Sequence, residues 1–180
     1  MKIEPPAPIV PMPAATFAEL RGRRVIVGVP GIGFRGDLRA DDAVIHGSRT
    51  FVPILSEQDY YRAETDQLEV FAPLVPLDRV WVEHPQETPP PLSVAAGALD
   101  APPRREALAA VLVGHFIGQR IVQAVPDGHI RDLRAVTVQY INARGITCAR
   151  ICAESDWYLW ALTGTTPPTS EVDVKVLWVE

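Results

Sequence analysis

The chain has 180 residues, 47% of them hydrophobic and 22% charged, with a mean hydropathy of +0.07, a net charge of -5 and a pI near 5.4. That much apolar material excludes wholesale disorder, and no apolar run reaches the ~18 to 20 residues of a membrane span. The acidic balance weighs against general nucleic-acid binding, because Lys and Arg neutralising phosphates supply most of such affinity.

The prolines are unevenly spread: of 18, five lie in residues 5 to 13 and six between Pro85 and Pro103. Met1-Lys2-Ile3-Glu4 followed by prolines lacks the charged and apolar regions of a signal peptide. Two cysteines make no disulfide framework and suit a reducing compartment, so the expected location is cytoplasmic. Because proline has no backbone donor, residues 1–16 are expected to form an extended tail and 85–104 a linker.

The segments 17–84 and 105–180 read as copies of each other. The first opens Gly22-Arg23-Arg24-Val25-Ile26-Val27-Gly28-Val29-Pro30, and 96 residues later the second opens Gly118-Gln119-Arg120-Ile121-Val122-Gln123-Ala124-Val125-Pro126. Asp37-Leu38-Arg39-Ala40 answers Asp132-Leu133-Arg134-Ala135. At an offset of 97, Glu57-Gln58-Asp59-Tyr60-Tyr61 answers Glu154-Ser155-Asp156-Trp157-Tyr158, and Trp81-Val82-Glu83 answers Trp178-Val179-Glu180. Four motifs in one order, with small length changes between them, point to internal duplication.

Val25, Val27 and Val29 alternate with small or polar residues, as do Val136, Val138 and Tyr140, which predicts half-buried strands. Arg104 to about Ile117 carries Leu108, Val111, Leu112 and His115 at helical spacing and is expected to be a helix entering the second unit. Asn142-Ala143-Arg144-Gly145 reads as a hairpin connection. Val172–Trp178 is expected to be one strand, with Pro76–Val82 as its counterpart.

Gly-x-Arg-Val-x-Val, a Gly-rich turn with Phe34-Arg35-Gly36-Asp37-Leu38-Arg39-Ala40, and a closing Arg79-Val80-Trp81-Val82-Glu83 resemble SH3-like barrels of the Tudor or agenet kind. The resemblance covers both units, about three quarters of the chain. It implies a non-enzymatic recognition module. The expected fold is therefore mainly β: two tandem SH3-like small β-barrel units from internal duplication, each of roughly 65 to 75 residues.

The duplication lets one copy test the other. Cys148 and Cys152 align with Phe51 and Leu55, both core residue types, and in a strand their Cα atoms lie about 13 Å apart; buried reduced thiols are expected. Gly28, Gly31, Gly33 and Gly36 follow a strand as a phosphate loop does, but no helix is expected after them. A strand-to-strand turn needing positive φ accounts for them better. Arg35-Gly36-Asp37 reads as part of that turn. His46, His84, His115 and His129 do not recur between copies and lack the close spacing of zinc ligands. No catalytic residue, metal site or cofactor is expected.

The most informative constellation is Glu-x-Asp followed by aromatics: Glu57, Asp59, Tyr60 and Tyr61 in one unit, and Glu154, Asp156, Trp157, Tyr158 and Trp160 in the other. Carboxylates beside aromatic faces hold cationic guests; alternatively the Asp residues fix a turn, the rings fill the barrel, and Arg39 or Arg134 forms an internal salt bridge. The second unit, with more aromatic surface, is the better binding candidate. The expected function is a non-enzymatic binding or adaptor protein engaging a protein or peptide partner. The alternatives are a structural or assembly subunit of a larger complex such as a phage particle, and an enzyme inhibitor or small enzyme.

Overall fold

A computed structural model describes residues 3–86 and 100–180; the stretch 87–99 of the expected linker lies outside the described residues. The chain divides into two compact units, Pro8–Arg104 and Arg105–Glu180, the latter joined by the N-terminal residues up to Ala7.

In the first unit the elements are β1 (Ile9–Pro13), β2 (Arg24–Val29), β3 (Gly33–Ala40), β4 (Val44–His46), β5 (Arg49–Ser56), α1 (Glu57–Asp66), β6 (Leu74–Pro76) and β7 (Val80–Pro85). The strands form one antiparallel sheet in the order β1-β7-β2-β3-β5-β4, with β6 also on β5. The sheet curls at β5, whose end (Ile54–Ser56) pairs with β3 while its start pairs with β4 and β6. Val25 and Val27 point to the concave core with Leu38, Ala40, Val52, Ile54, Val80 and Val82. By the period of two, Ile26 and its cross-strand partner Trp81 face the other side.

The second unit repeats this plan. Its elements are β8 (Leu108–Ala109), β9 (Arg120–Val125), β10 (Gly128–Ala135), β11 (Tyr140–Ile141), β12 (Thr147–Ala153), α2 (Glu154–Thr163), β13 (Ser170–Asp173) and β14 (Leu177–Val179). The order is β11-β12-β10-β9-β14-β8, with β13 on β12, so every strand has a counterpart in the same place. The fold is mainly β, two similar curled antiparallel half-barrels. Among the described residues, no helix is long and apolar enough to cross a membrane.

The repeated Asp-Leu-Arg-Ala motif has a backbone reason. The pairing of β2 with β3 and of β9 with β10 each shifts register at a bulge. Asp37 and Asp132 sit there with φ of 57°, a left-handed conformation that Asp tolerates better than most residues. The next three residues then bring Leu38, Arg39 and Ala40, or Leu133, Arg134 and Ala135, back into register. Gly31 and Gly33 have positive φ in the β2–β3 turn, and a strand follows them rather than a helix.

Four expectations are corrected. Of the strand expected through Val136, Val138 and Tyr140, only Tyr140 is in one, the two-residue β11, and Val138 is exposed. The helix over Arg104 to Ile117 is absent; that stretch is the two-residue β8 and a 3-10 turn, Ala110–Leu112. Leu108, Val111 and Leu112, the intended apolar face, are 59, 54 and 79% exposed, whereas Ala110 and Phe116 are buried. The Pro-rich tail is in part a strand, since β1 pairs with β7 along an edge where missing proline donors cost little. The single strand expected over Val172–Trp178 is broken by a 3-10 turn at Val174–Val176, and Pro76–Val82 by one at Leu77–Arg79. The broken halves pair with different strands, which closes the curl.

Candidate functional site

Each Glu-x-Asp-aromatic segment opens a ten-residue helix rather than fixing a turn. Its buried side is a charge network that recurs almost atom for atom. Arg39 Nη1 donates to the Gly22 carbonyl at 2.9 Å and Nη2 to the Tyr61 hydroxyl at 2.9 Å, while Nε lies 3.7 Å from Glu57 Oε1. Arg24 Nε donates to the same oxygen at 2.7 Å. In the second unit Arg134 donates to the Gly118 carbonyl at 2.9 Å, to the Tyr158 hydroxyl at 3.0 Å and to Glu154 Oε1 at 2.7 Å.

Glu57 and Glu154 are each 1% exposed. Their acceptors are turned inward on arginines, so a guest at the surface does not reach them. Arginine suits this place because one planar fork serves three acceptors at once.

The aromatics after Asp divide by role. Tyr61 and Tyr158 belong to the network, each ring lying beside its arginine, with the guanidinium carbon 5.5 Å and 5.4 Å from the ring centre. Tyr60 and Trp157 lie against Gly22 and Gly118, whose φ values are 74° and 77°. This explains why both copies open with glycine: the turn is left-handed and an aromatic ring covers it. Asp59 stabilises the helix start, where Ser56 Oγ accepts from Asp59 N–H at 3.1 Å and donates to Asp59 Oδ2 at 2.7 Å. The second copy has Ala153 at that position and no side-chain cap.

The copies exchange their better helix ends. α1 ends on Gln67 with φ of 51°, whereas α2 ends on Gly164 with φ of 71°. Gln67→Gly removes left-handed strain of about 1 kcal/mol, and Ala153→Ser restores a cap worth about 0.5 to 2 kcal/mol. Each is expected to raise the melting temperature of its unit by about 4 to 8 °C, read by thermal scanning; a fall in both would contradict the cap assignments.

On the outer side of the helices the copies part company. In the first unit a cleft of about 570 Å³ is lined by Arg21, Asp41, Tyr60, Ala63, Glu64 and Glu69, among others. Arg21 lies 3.8 Å from both Asp41 and Glu64. Burial, then the Glu64 charge, raises the Tyr60 hydroxyl above its ordinary pKa. In the second unit the aligned residues are Ile117 for Arg21, Val136 for Asp41, Trp157 for Tyr60, Trp160 for Ala63 and Ala161 for Glu64. Trp160 stands edge-on to Trp157, 5.4 Å between ring centres. Beyond the motif, Arg62, Thr65 and Asp66 of α1 become Leu159, Leu162 and Thr163 of α2. Ile117 and Leu162 are 42 and 39% exposed.

Of the proposed site residues, then, Trp157 and Trp160 lie together on the outer side of α2, and Tyr60 lines the first unit's cleft. Glu57, Glu154, Tyr61 and Tyr158 are drawn inward, and Asp59 holds the Ser56 cap of α1. Sequence reasoning missed Arg21, Asp41 and Glu64, which come from the turn before β2, the loop after β3 and α1. It also missed Leu159 and Leu162, which aligning the copies a few residues further would have revealed.

Cys148 and Cys152 are buried and unbridged on β12. Burial, then the Asp156 charge, pushes the Cys152 thiol up to about 11, and burial raises Cys148 as well. Since the thiolate is the reactive form, neither is expected to react with a thiol-labelling disulfide at pH 8 until denaturant is added. Rapid native labelling, followed by absorbance, would contradict this. Among the described residues no three His, Cys, Asp or Glu side chains stand together as metal ligands do. Compared with models of known families, with curated proteins and with solved structures, the chain matches none.

Proposed function

We propose that the chain is a non-enzymatic binding protein built from two tandem modules of SH3-like small-barrel type, and that the outer face of α2 engages a protein partner through apolar contact. One observation carries this. At structurally matched helix positions the first copy has Arg62, Glu64, Thr65 and Asp66, and the second has Leu159, Ala161, Leu162 and Thr163.

The scaffold does not require this change, because the first copy folds the same helix on the same network with a polar outer side. Exposed apolar side chains cost solubility unless they are covered, and the neighbouring pair Trp157 and Trp160 has the character of interface anchors. The first unit's cleft, with Asp41, Glu64 and Glu69 against Arg21, supplies a second contact suited to a cationic side chain. Tandem display then raises the effective concentration of each weak site for the other.

The test compares wild type with Leu162→Asp and the matched control Thr65→Asp as baits in lysate from the source cells. A partner retained by wild type and Thr65→Asp but lost at least tenfold by Leu162→Asp supports the proposal. Equal capture by all three, or turnover of a metabolite with no partner captured, would overturn it.

A further inference from the structure

On the side of the second sheet opposite its core, Val122, Ala124 and Trp178 form a small apolar cluster, and Ile3 packs against it. Residues 3–7, Ile3-Glu4-Pro5-Pro6-Ala7, pair with no strand, and two of the five are prolines without a backbone donor. They are held instead through their carbonyls. The His129 ring, whose Nε2 must be the donor since a carbonyl only accepts, lies 3.0 Å from the Glu4 oxygen. Arg131 Nη2 donates to the Ala7 oxygen at 2.6 Å.

Both donors are themselves positioned. His129 stands edge-on to Trp178, ring centres 6.0 Å apart, and Arg131 also pairs with the Glu180 carboxylate. Pro6 is buried. Beside Ile3 and Glu4, the β9–β10 hairpin from Ala124 to His129 leaves a cavity of about 180 Å³.

We propose that this face is a peptide-binding groove for an extended, proline-containing segment with an apolar residue at its start, and that Ile3–Ala7 is its resident, displaceable occupant. An extended prolyl segment has little backbone freedom to lose and offers carbonyls outward, which matches a site made of side-chain donors and an aromatic wall. The contact is short, so its occupancy rests on tethering through Pro8 to the rest of the chain as much as on contacts.

The duplication supplies independent support. Ninety-six residues on, Asp100-Ala101-Pro102-Pro103 aligns with Glu4-Pro5-Pro6-Ala7. Pro102 is buried as Pro6 is, and 100–104 falls within the first compact unit as 3–7 falls within the second.

The probe is a fluorescein-labelled Lys-Ile-Glu-Pro-Pro-Ala-Pro peptide, with anisotropy measured on the full chain. Ile3→Asp with Pro6→Asp is expected to release the resident segment and bind the probe at least tenfold tighter than wild type. Adding His129→Ala should remove at least tenfold of that affinity. A released variant that unfolds cooperatively yet binds no tighter than wild type would overturn the proposal. Should release impair folding, the wild-type chain decides: excess Ile-Glu-Pro-Pro-Ala-Pro, which carries no tryptic site, is expected to speed tryptic cleavage after Lys2 at least fivefold, and an unchanged rate overturns the proposal.

Discussion

Glu154→Ala is expected to destabilise the second unit by about 3 to 5 kcal/mol, because it strands the Arg134 guanidinium in a site from which water is excluded. Arg134 is 8% exposed and keeps its bonds to the Gly118 carbonyl and the Tyr158 hydroxyl, but neither neutralises a charge. A unit of this size has roughly 4 to 11 kcal/mol of stability in all, so the loss is a large share of it. Urea unfolding followed by tryptophan fluorescence reads the change, since Trp157 and Trp160 lie on the same helix. Glu154→Gln, which preserves shape and one acceptor, is expected to cost less than the alanine variant. Glu57→Ala should act in the same range on the first unit, where Arg24 and Arg39 share the Glu57 oxygen. A loss below about 1 kcal/mol in both alanine variants would mean the network contributes nothing that its desolvation does not cancel.

Gly118→Val is the second large effect. At φ of 77° a β-branched residue is held in the left-handed region at about 1 to 2 kcal/mol. Its Cβ also stands 3.3 Å from the Trp157 ring, and overpacking of that kind adds about 1 to 3 kcal/mol. The turn cannot retreat freely, because the Gly118 carbonyl accepts from Arg134 and its N–H donates to Ala135 at 2.8 Å. Gly114→Ala serves as the control: nothing lies near its Cβ and its φ is ordinary, so its midpoint in urea should differ little from wild type. If the two substitutions proved equally mild, the packing of Trp157 over the turn would have to be abandoned.

Much of the fold was legible because duplication prints every constraint twice. Gly22 aligns with Gly118, Arg39 with Arg134 and Glu57 with Glu154, and within each unit the three come together as a turn, a strand end and a helix start. The start of α1 carries a local signal, since Ser56 with Asp59 three residues on is a capping pair, whereas α2 begins after Ala153 with none. The false helix over Arg104 to Ile117 had a warning in the other copy. There Pro11 and Pro13 occupy the positions of Ala107 and Ala109, which a helix would not tolerate.

The amino-acid order by itself determined that the chain is two copies of one β-rich unit, that its cysteines stand where the other copy has core residues, and that the Glu-x-Asp-aromatic segments matter. Only the tertiary structure decided which of those residues face inward. A carboxylate beside aromatics reads the same in one dimension whether it meets water or an arginine, and Arg134 lies twenty residues from Glu154. The strand break at Val174–Val176 and the docking of Ile3 against Trp178 likewise depend on contacts between distant segments. Local periodicity carries no record of such contacts, because burial belongs to the assembled surface and not to the segment.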